Sequence, residues 1–136
     1  MTSIKETYGG QSKCACEGAT LERLVRPALL IILAGSELHG YRIVQRLAEM
    51  SMFDGNLPNA SGVYRTLNTM SGEGLVDSAW EISEVGPARK LYKITPEGRK
   101  CLAVWMVTLS KYRFAVDGLL EAGRIALDMG TDEGLQ

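Results

Sequence analysis

The sequence predicts a mainly α fold with a small β-hairpin wing. Three observations carry that prediction. Apolar residues recur at helical spacing in three short segments before residue 75. Residues 75–81 and 90–94 read as two strands, separated by a Gly86–Pro87 turn signal. After Thr95–Pro96 comes a long segment with an apolar seam. Helix, helix, helix, hairpin, helix is the order of a winged helix-turn-helix with an added C-terminal helix.

Taking the elements in order, residues 1–20 are rich in Gly, Ser and Thr without periodicity, and read as a mobile arm. In 21–34 the residues Leu21, Leu24, Val25, Ala28, Leu29, Ile31, Ile32 and Leu33 crowd more than one face, as in a short buried helix. Pro27 lies inside that pattern. Proline lacks an amide donor and clashes with the preceding turn. Either the regular helix begins at Arg26 or Pro27, or it is kinked there. In 39–50, Tyr41, Val44 and Leu47 repeat every third residue, with Ile43 adjacent, which is helical. Residues 54–58 read as a turn.

Asn59 is placed as an N-cap, its side-chain oxygen accepting from a free first-turn amide. The helix it starts turns Val63, Leu67 and Met70 inward, and Gly72 and Gly74 loosen its end. Thr95 before Pro96 is a capping hydroxyl followed by proline at the first helical position. The final helix spaces Leu102, Trp105, Leu109, Tyr112, Val116 and Leu119 alternately by three and four, a heptad-like seam. The expected division is therefore an arm (1–20), a winged helix-turn-helix domain (21–95), a dimerisation helix (96–129) and a disordered tail (130–136).

No apolar run approaches bilayer length, and the N-terminus, with Lys5 and Glu6, lacks the apolar core of a secretory signal. A soluble cytoplasmic protein with no membrane partner is expected. The net charge of −1 does not announce a nucleic-acid binder. Residues 21–100 hold ten Lys/Arg and nine Asp/Glu, so attraction to phosphate has to come from local clusters. There is no phosphate-cradling glycine loop and no nucleophile–base set. His39 is the only histidine, which limits acid–base chemistry, and an enzyme is not expected.

A helix that enters the major groove needs one apolar stripe docked on its own domain and one polar stripe toward the bases. The helix after Asn59 has both, with Ser61, Tyr64, Arg65, Asn68 and Thr69 on the outward side, and these with Asn59 itself are the candidate DNA contacts of this segment. In the hairpin, Arg89 and Lys93 share one strand face and Lys90 takes the other.

Leu38–His39–Gly40–Tyr41, Ser61–Gly62–Val63–Tyr64–Arg65–Thr66–Leu67 and Gly86–Pro87–Ala88–Arg89–Lys90–Leu91–Tyr92–Lys93–Ile94–Thr95 together resemble the PadR family of transcriptional regulators. The resemblance spans roughly residues 24–120. It implies double-stranded DNA as partner, a Tyr64 that touches the DNA backbone, and a wing that reaches phosphates or the adjacent minor groove. It gives His39 a structural or capping role at the start of the second helix. Where the family often has Ser–Pro–Gly–Thr, this chain has Asn59–Ala60–Ser61–Gly62, keeping the cap and losing the proline, which points to a different base preference. The resemblance also implies a homodimer through the last helix, using Trp105, Leu109, Tyr112, Val116 and Leu119. Some relatives bind flat aromatic molecules between the two long helices beside a Trp; Trp105, with Tyr112, is the match here.

No cofactor is required by this pattern. The candidate ligands are a small aromatic effector and a thiolate-bound metal. Cys14 and Cys16 are the metal candidates: two arms of a dimer supply four thiols, and Lys13 favours the thiolate. The expected function is a dimeric DNA-binding regulator, a repressor relieved by a small-molecule, metal or redox signal. The alternative is a winged-helix module for protein interaction or ligand binding that does not bind DNA, a reading favoured by the near-neutral charge.

Overall fold

The computed structural model describes residues 23–50 and 59–134. The chain forms two compact units, Met1–Arg99 and Lys100–Gln136. In order the elements are α1 (Val25–Gly35), β1 (Leu38–His39), α2 (Gly40–Glu49), α3 (Ala60–Gly72), β2 (Val76–Glu81), β3 (Arg89–Ile94) and α4 (Pro96–Gly134). The arm, with Cys14 and Cys16, lies outside the described residues.

Pro27 is the third residue of α1, so the first of the two alternatives holds to within two residues. Its missing amide falls in the first turn, where no intrahelical acceptor exists, and the ring is buried. Leu29, Leu30 and Leu33 of α1 meet Ile43 and Leu47 of α2, Val63, Leu67 and Met70 of α3, and Val76 and Tyr92 of the sheet in one buried core. Each such aliphatic side chain contributes about 1.5–3 kcal/mol when fully buried. Truncating one of them, such as Leu67→Ala, costs about 2–5 kcal/mol. An Arg26–Glu73 ion pair ties α1 to the residue after α3.

The hairpin is a three-stranded antiparallel sheet of order β1-β3-β2, because the two residues before α2 pair with β3. The register Val76↔Ile94, Ser78↔Tyr92 and Trp80↔Lys90 sets one face. Val76 and Tyr92 make that face the buried one. Asp77↔Lys93 and Glu81↔Arg89 sit on the other. Gly86 lies in the connection between β2 and β3 with φ of 98°, a backbone conformation that favours glycine.

Thr95 joins the sheet to α4. Its hydroxyl accepts from the Gly98 amide at 2.9 Å and donates to the Gly74 carbonyl at 2.7 Å. Its own amide donates to the Leu75 carbonyl at 3.1 Å. The first turn of α4 thus packs directly on backbone: a Cβ on Gly98 would lie 2.1 Å from the Leu75 oxygen.

In the second unit α4 is continuous to Gly134, so residues 130–134, expected as tail, are helical. Gly118, Gly123 and Gly130 lower helix propensity by about 1 kcal/mol each but leave the amide-to-carbonyl ladder intact. Arg124 pairs with Glu121 and Asp128 at 2.7 and 3.1 Å, one turn to either side.

Candidate nucleic-acid interface

α3 begins as the sequence predicts. Asn59 is extended, and its Oδ1 accepts from the Gly62 amide at 2.7 Å and the Ser61 hydroxyl at 2.9 Å. The proline absent from the first helical position is therefore replaced by a two-donor cap. Val63, Leu67 and Met70 are buried, which fixes the rotation of the helix and leaves Ser61, Arg65, Asn68 and Thr69 exposed. The Arg65 and Asn68 side chains enter no hydrogen bond or ion pair among the described residues. Thr69 is less free. Its hydroxyl donates to the Arg65 carbonyl at 3.1 Å, so it is set to accept rather than to donate.

Tyr64 does not stand out with this polar row. It is half-buried, and its ring lies so close to Gly40 that a Cβ there would come within 2.5 Å of Cε1. The contact places Tyr64 beside the start of α2 and the wing, in a concave wall that also includes Tyr41, Arg89, Lys90 and Tyr92.

The wing residues divide as strand alternation requires. Lys90 belongs to the face that carries Tyr92, and its Nζ lies 5.8 Å from the ring centres of both Tyr92 and Trp80. Arg89 lies over Tyr41 at 5.7 Å. Lys93 is on the opposite face, cross-strand from Asp77, and is not brought together with Tyr64 or Lys90. His39 occupies the N-cap position of α2 but makes no capping bond. Instead its Nε2 pairs with Glu81 at 3.2 Å and its ring stacks on Tyr41. The extended backbone at His39 follows from its pairing with Leu91, which turns the side chain onto the outer face of the sheet.

Sequence reasoning missed Tyr92, Tyr41, Gly40 and Trp80. For Tyr92 a signal existed, since strand alternation places it on the face of Lys90. For Gly40 no local signal exists, because its constraint is a ring from another helix.

On α4, Tyr112, Val116 and Leu119 of the predicted seam are exposed, as are Val104, Val107 and Leu120. Trp105 and Leu109 are part-exposed. Among the described residues no group of three or more potential metal ligands gathers, and no helix is long and apolar enough to cross a membrane.

A docked helix with a capped start and an exposed polar row, flanked by a basic hairpin, defines a winged helix-turn-helix protein. Residues 29–104 match the model of the transcriptional regulator PadR-like family, more than half of the chain. The chain belongs to that family. A PadR-like transcriptional regulator from Bacillus cereus strain ATCC 14579 is 25% identical with a TM-score of 0.62, over 74% of this chain and 94% of its own. A protein of Thermoplasma acidophilum, described as a candidate transcriptional regulator, is 28% identical with a TM-score of 0.65, over 75% and 95%. Bacillus subtilis PadR, solved in complex with operator DNA, is 26% identical with a TM-score of 0.56, over 62% of this chain and 48% of its own. No curated protein matches the sequence significantly.

Proposed function

We propose that this protein is a sequence-specific DNA-binding regulator that acts as a homodimer and represses transcription until a ligand lowers its affinity for the operator. The observation that carries the reading is the exposed row on α3, where Arg65 and Asn68 are unpaired among the described residues. Arginine can hydrogen-bond a guanine edge twice and asparagine an adenine edge twice, so this pair is suited to reading bases. Lys90 and Arg89 beside it suit phosphate, which positions the helix without reading sequence. The operator complex of the similar Bacillus subtilis PadR supports the same use of the fold.

The exposed apolar residues of α4 favour a second copy as their cover, because a contiguous apolar strip on a lone helix is costly in water. A twofold pair would present two copies of α3 to half-sites about one helical turn apart. Relief of repression is assigned to a flat aromatic ligand stacking on Trp105 and Tyr112, or to metal or oxidation at Cys14 and Cys16.

The test is fluorescence anisotropy of the full chain on a labelled fragment of its own upstream DNA, beside a scrambled duplex. Tight, salt-sensitive binding selective for the upstream fragment supports the reading. Equal affinity for both duplexes, or none, under reducing and zinc-supplemented conditions alike, favours the interaction-module alternative.

A further inference from the structure

The exposed row of α3 has a fixed hydrogen-bond polarity. Asn59 Oδ1 accepts from the Gly62 amide at 2.7 Å, so the oxygen end of that side chain faces the helix and the nitrogen end faces away. The Ser61 hydroxyl lies 2.9 Å from the same oxygen. An amide oxygen has no proton to give, so Ser61 spends its single proton on Asn59 and offers only lone pairs to anything outside. Thr69, at the other end of the row, is committed in the same way, its proton on the Arg65 carbonyl at 3.1 Å. The hydroxyls of the row therefore accept and do not donate; its donors are Arg65 and Asn68.

That polarity decides what Ser61 can meet on a duplex. Phosphate oxygens are negative and only accept, so they repel a hydroxyl that has no proton to offer. The Gly62 and Val63 amides are already spent on Asn59 Oδ1 and the Asn59 carbonyl, which weakens the pull of this helix end on a phosphate. In the major groove guanine and thymine show only acceptors, besides the thymine methyl group. Adenine N6 and cytosine N4 are the base donors there. A serine that is free to turn serves either kind of group and carries little information about the base. One whose proton is tied serves donors alone.

We propose that Ser61 is a specificity-determining residue that accepts a hydrogen bond from the exocyclic amino group of adenine or cytosine in the major groove, with Asn59 as the positioning residue that holds its proton. The assignment rests on the DNA-binding reading above. Ser61 precedes Arg65 by four residues, about 6 Å along the helix axis, which is under two base-pair steps of about 3.4 Å. With Arg65 on a guanine, the amino-bearing base lies within about two steps of it. Both residues belong to the stretch Asn59–Ala60–Ser61–Gly62, where this chain departs from Ser–Pro–Gly–Thr. A serine at the cap would carry a proton of its own, and a glycine at residue 61 would have no hydroxyl to orient. The departure thus adds a base contact of defined sign.

The experiment selects duplexes from a randomised pool with the full chain, Ser61→Ala, Asn59→Ala and Asn59→Asp, and then titrates the selected duplexes by anisotropy. The parent should show a position restricted to adenine or cytosine. Ser61→Ala should lose that restriction and no other, with binding weaker by about fivefold, the order of one uncharged hydrogen bond. Unsubstituted purine in place of that adenine, or pyrimidinone in place of that cytosine, removes the amino group alone. It should weaken the parent by the same factor and leave Ser61→Ala unaffected. Asn59→Ala frees the hydroxyl to donate, so guanine and thymine should become acceptable at that position. Asn59→Asp still takes the proton and should keep the restriction. If Asn59→Ala does not fold, Ser61→Ala and the base analogues decide, since Ser61 is exposed. An equal loss for Ser61→Ala on every duplex, with the selected sequence unchanged, puts the hydroxyl on a phosphate and overturns the assignment. A parent indifferent to the missing amino group overturns it as well, while leaving the DNA reading in place. A parent that selects no sequence at all removes the DNA reading and this assignment with it.

Discussion

Gly40→Ala tests whether Tyr64 is positioned by the helix it touches. The added Cβ would lie 2.5 Å from Tyr64 Cε1 and 3.3 Å from both Cζ and the hydroxyl. Carbon atoms in contact sit about 3.5–4.0 Å apart, so the ring edge must retreat by about 1 Å. The ring is the far end of a flexible side chain, so much of the clash is relieved by rotation about its bonds. Overpacking costs about 1–3 kcal/mol, and the low end applies here. The change in stability is thus small, about 1 kcal/mol, while Tyr64 leaves its place beside the wing. If Tyr64 donates to a backbone phosphate, the loss is about one charge-assisted hydrogen bond per half-site, roughly tenfold in affinity. The assay is a double-mutant cycle by anisotropy: Gly40→Ala, Tyr64→Ala and the pair, each checked by thermal melting. Through Tyr64, Gly40→Ala weakens the parent but has little effect once residue 64 is alanine. Additive losses across the cycle refute the reasoning and place the effect on α2 itself.

Thr95→Val should destabilise the protein by about 2 kcal/mol, one helix cap and one further hydrogen bond, read as a lower denaturant midpoint with unchanged slope. Arg65→Ala should reduce the ratio of specific to non-specific binding, whereas Lys90→Ala should weaken both duplexes alike and flatten the salt dependence; identical profiles in anisotropy would count against Arg65 as a base reader. Because the folded-state pKa of Tyr92 is raised above its unfolded value of 10.0, the unfolded chain loses that proton first as pH rises. Its contribution is intact below pH 10 and is lost above it, so Tyr92→Phe should show a shallower alkaline fall in melting temperature. Trp105→Ala should loosen self-association, and an unchanged sedimentation profile would argue against the α4 seam.

The parts of this fold that were legible in the sequence are those set by neighbours along the chain. Asn59 and Thr95–Pro96 announce helix starts because a cap acts within three residues. Val63, Leu67 and Met70 mark the docked side of α3 because helical spacing alone brings them together. The parity of Arg89, Lys90 and Lys93 follows from the pleat. What was not legible depends on meetings across space. β1 is two residues long, too short to show any period, and exists because β3 offers it an edge. The seat of Tyr64 on Gly40 joins two separate helices. The link from His39 to Glu81 runs between strands that are not neighbours in the sheet. The tail expected at 130–136 is helical to Gly134, because a glycine in a long helix lowers the local propensity without breaking the ladder.

The position of Lys90 over Trp80 has a practical consequence. The chain has only two tryptophans, Trp80 and Trp105, and they fall in different units. Trp80 is exposed on the wing with a cation 5.8 Å from its ring centre. Anything that draws the ammonium away changes the field at the indole and hence its emission. With Trp105 replaced by Phe, the wing carries the one remaining tryptophan, a dye-free optical gauge of whatever the hairpin meets.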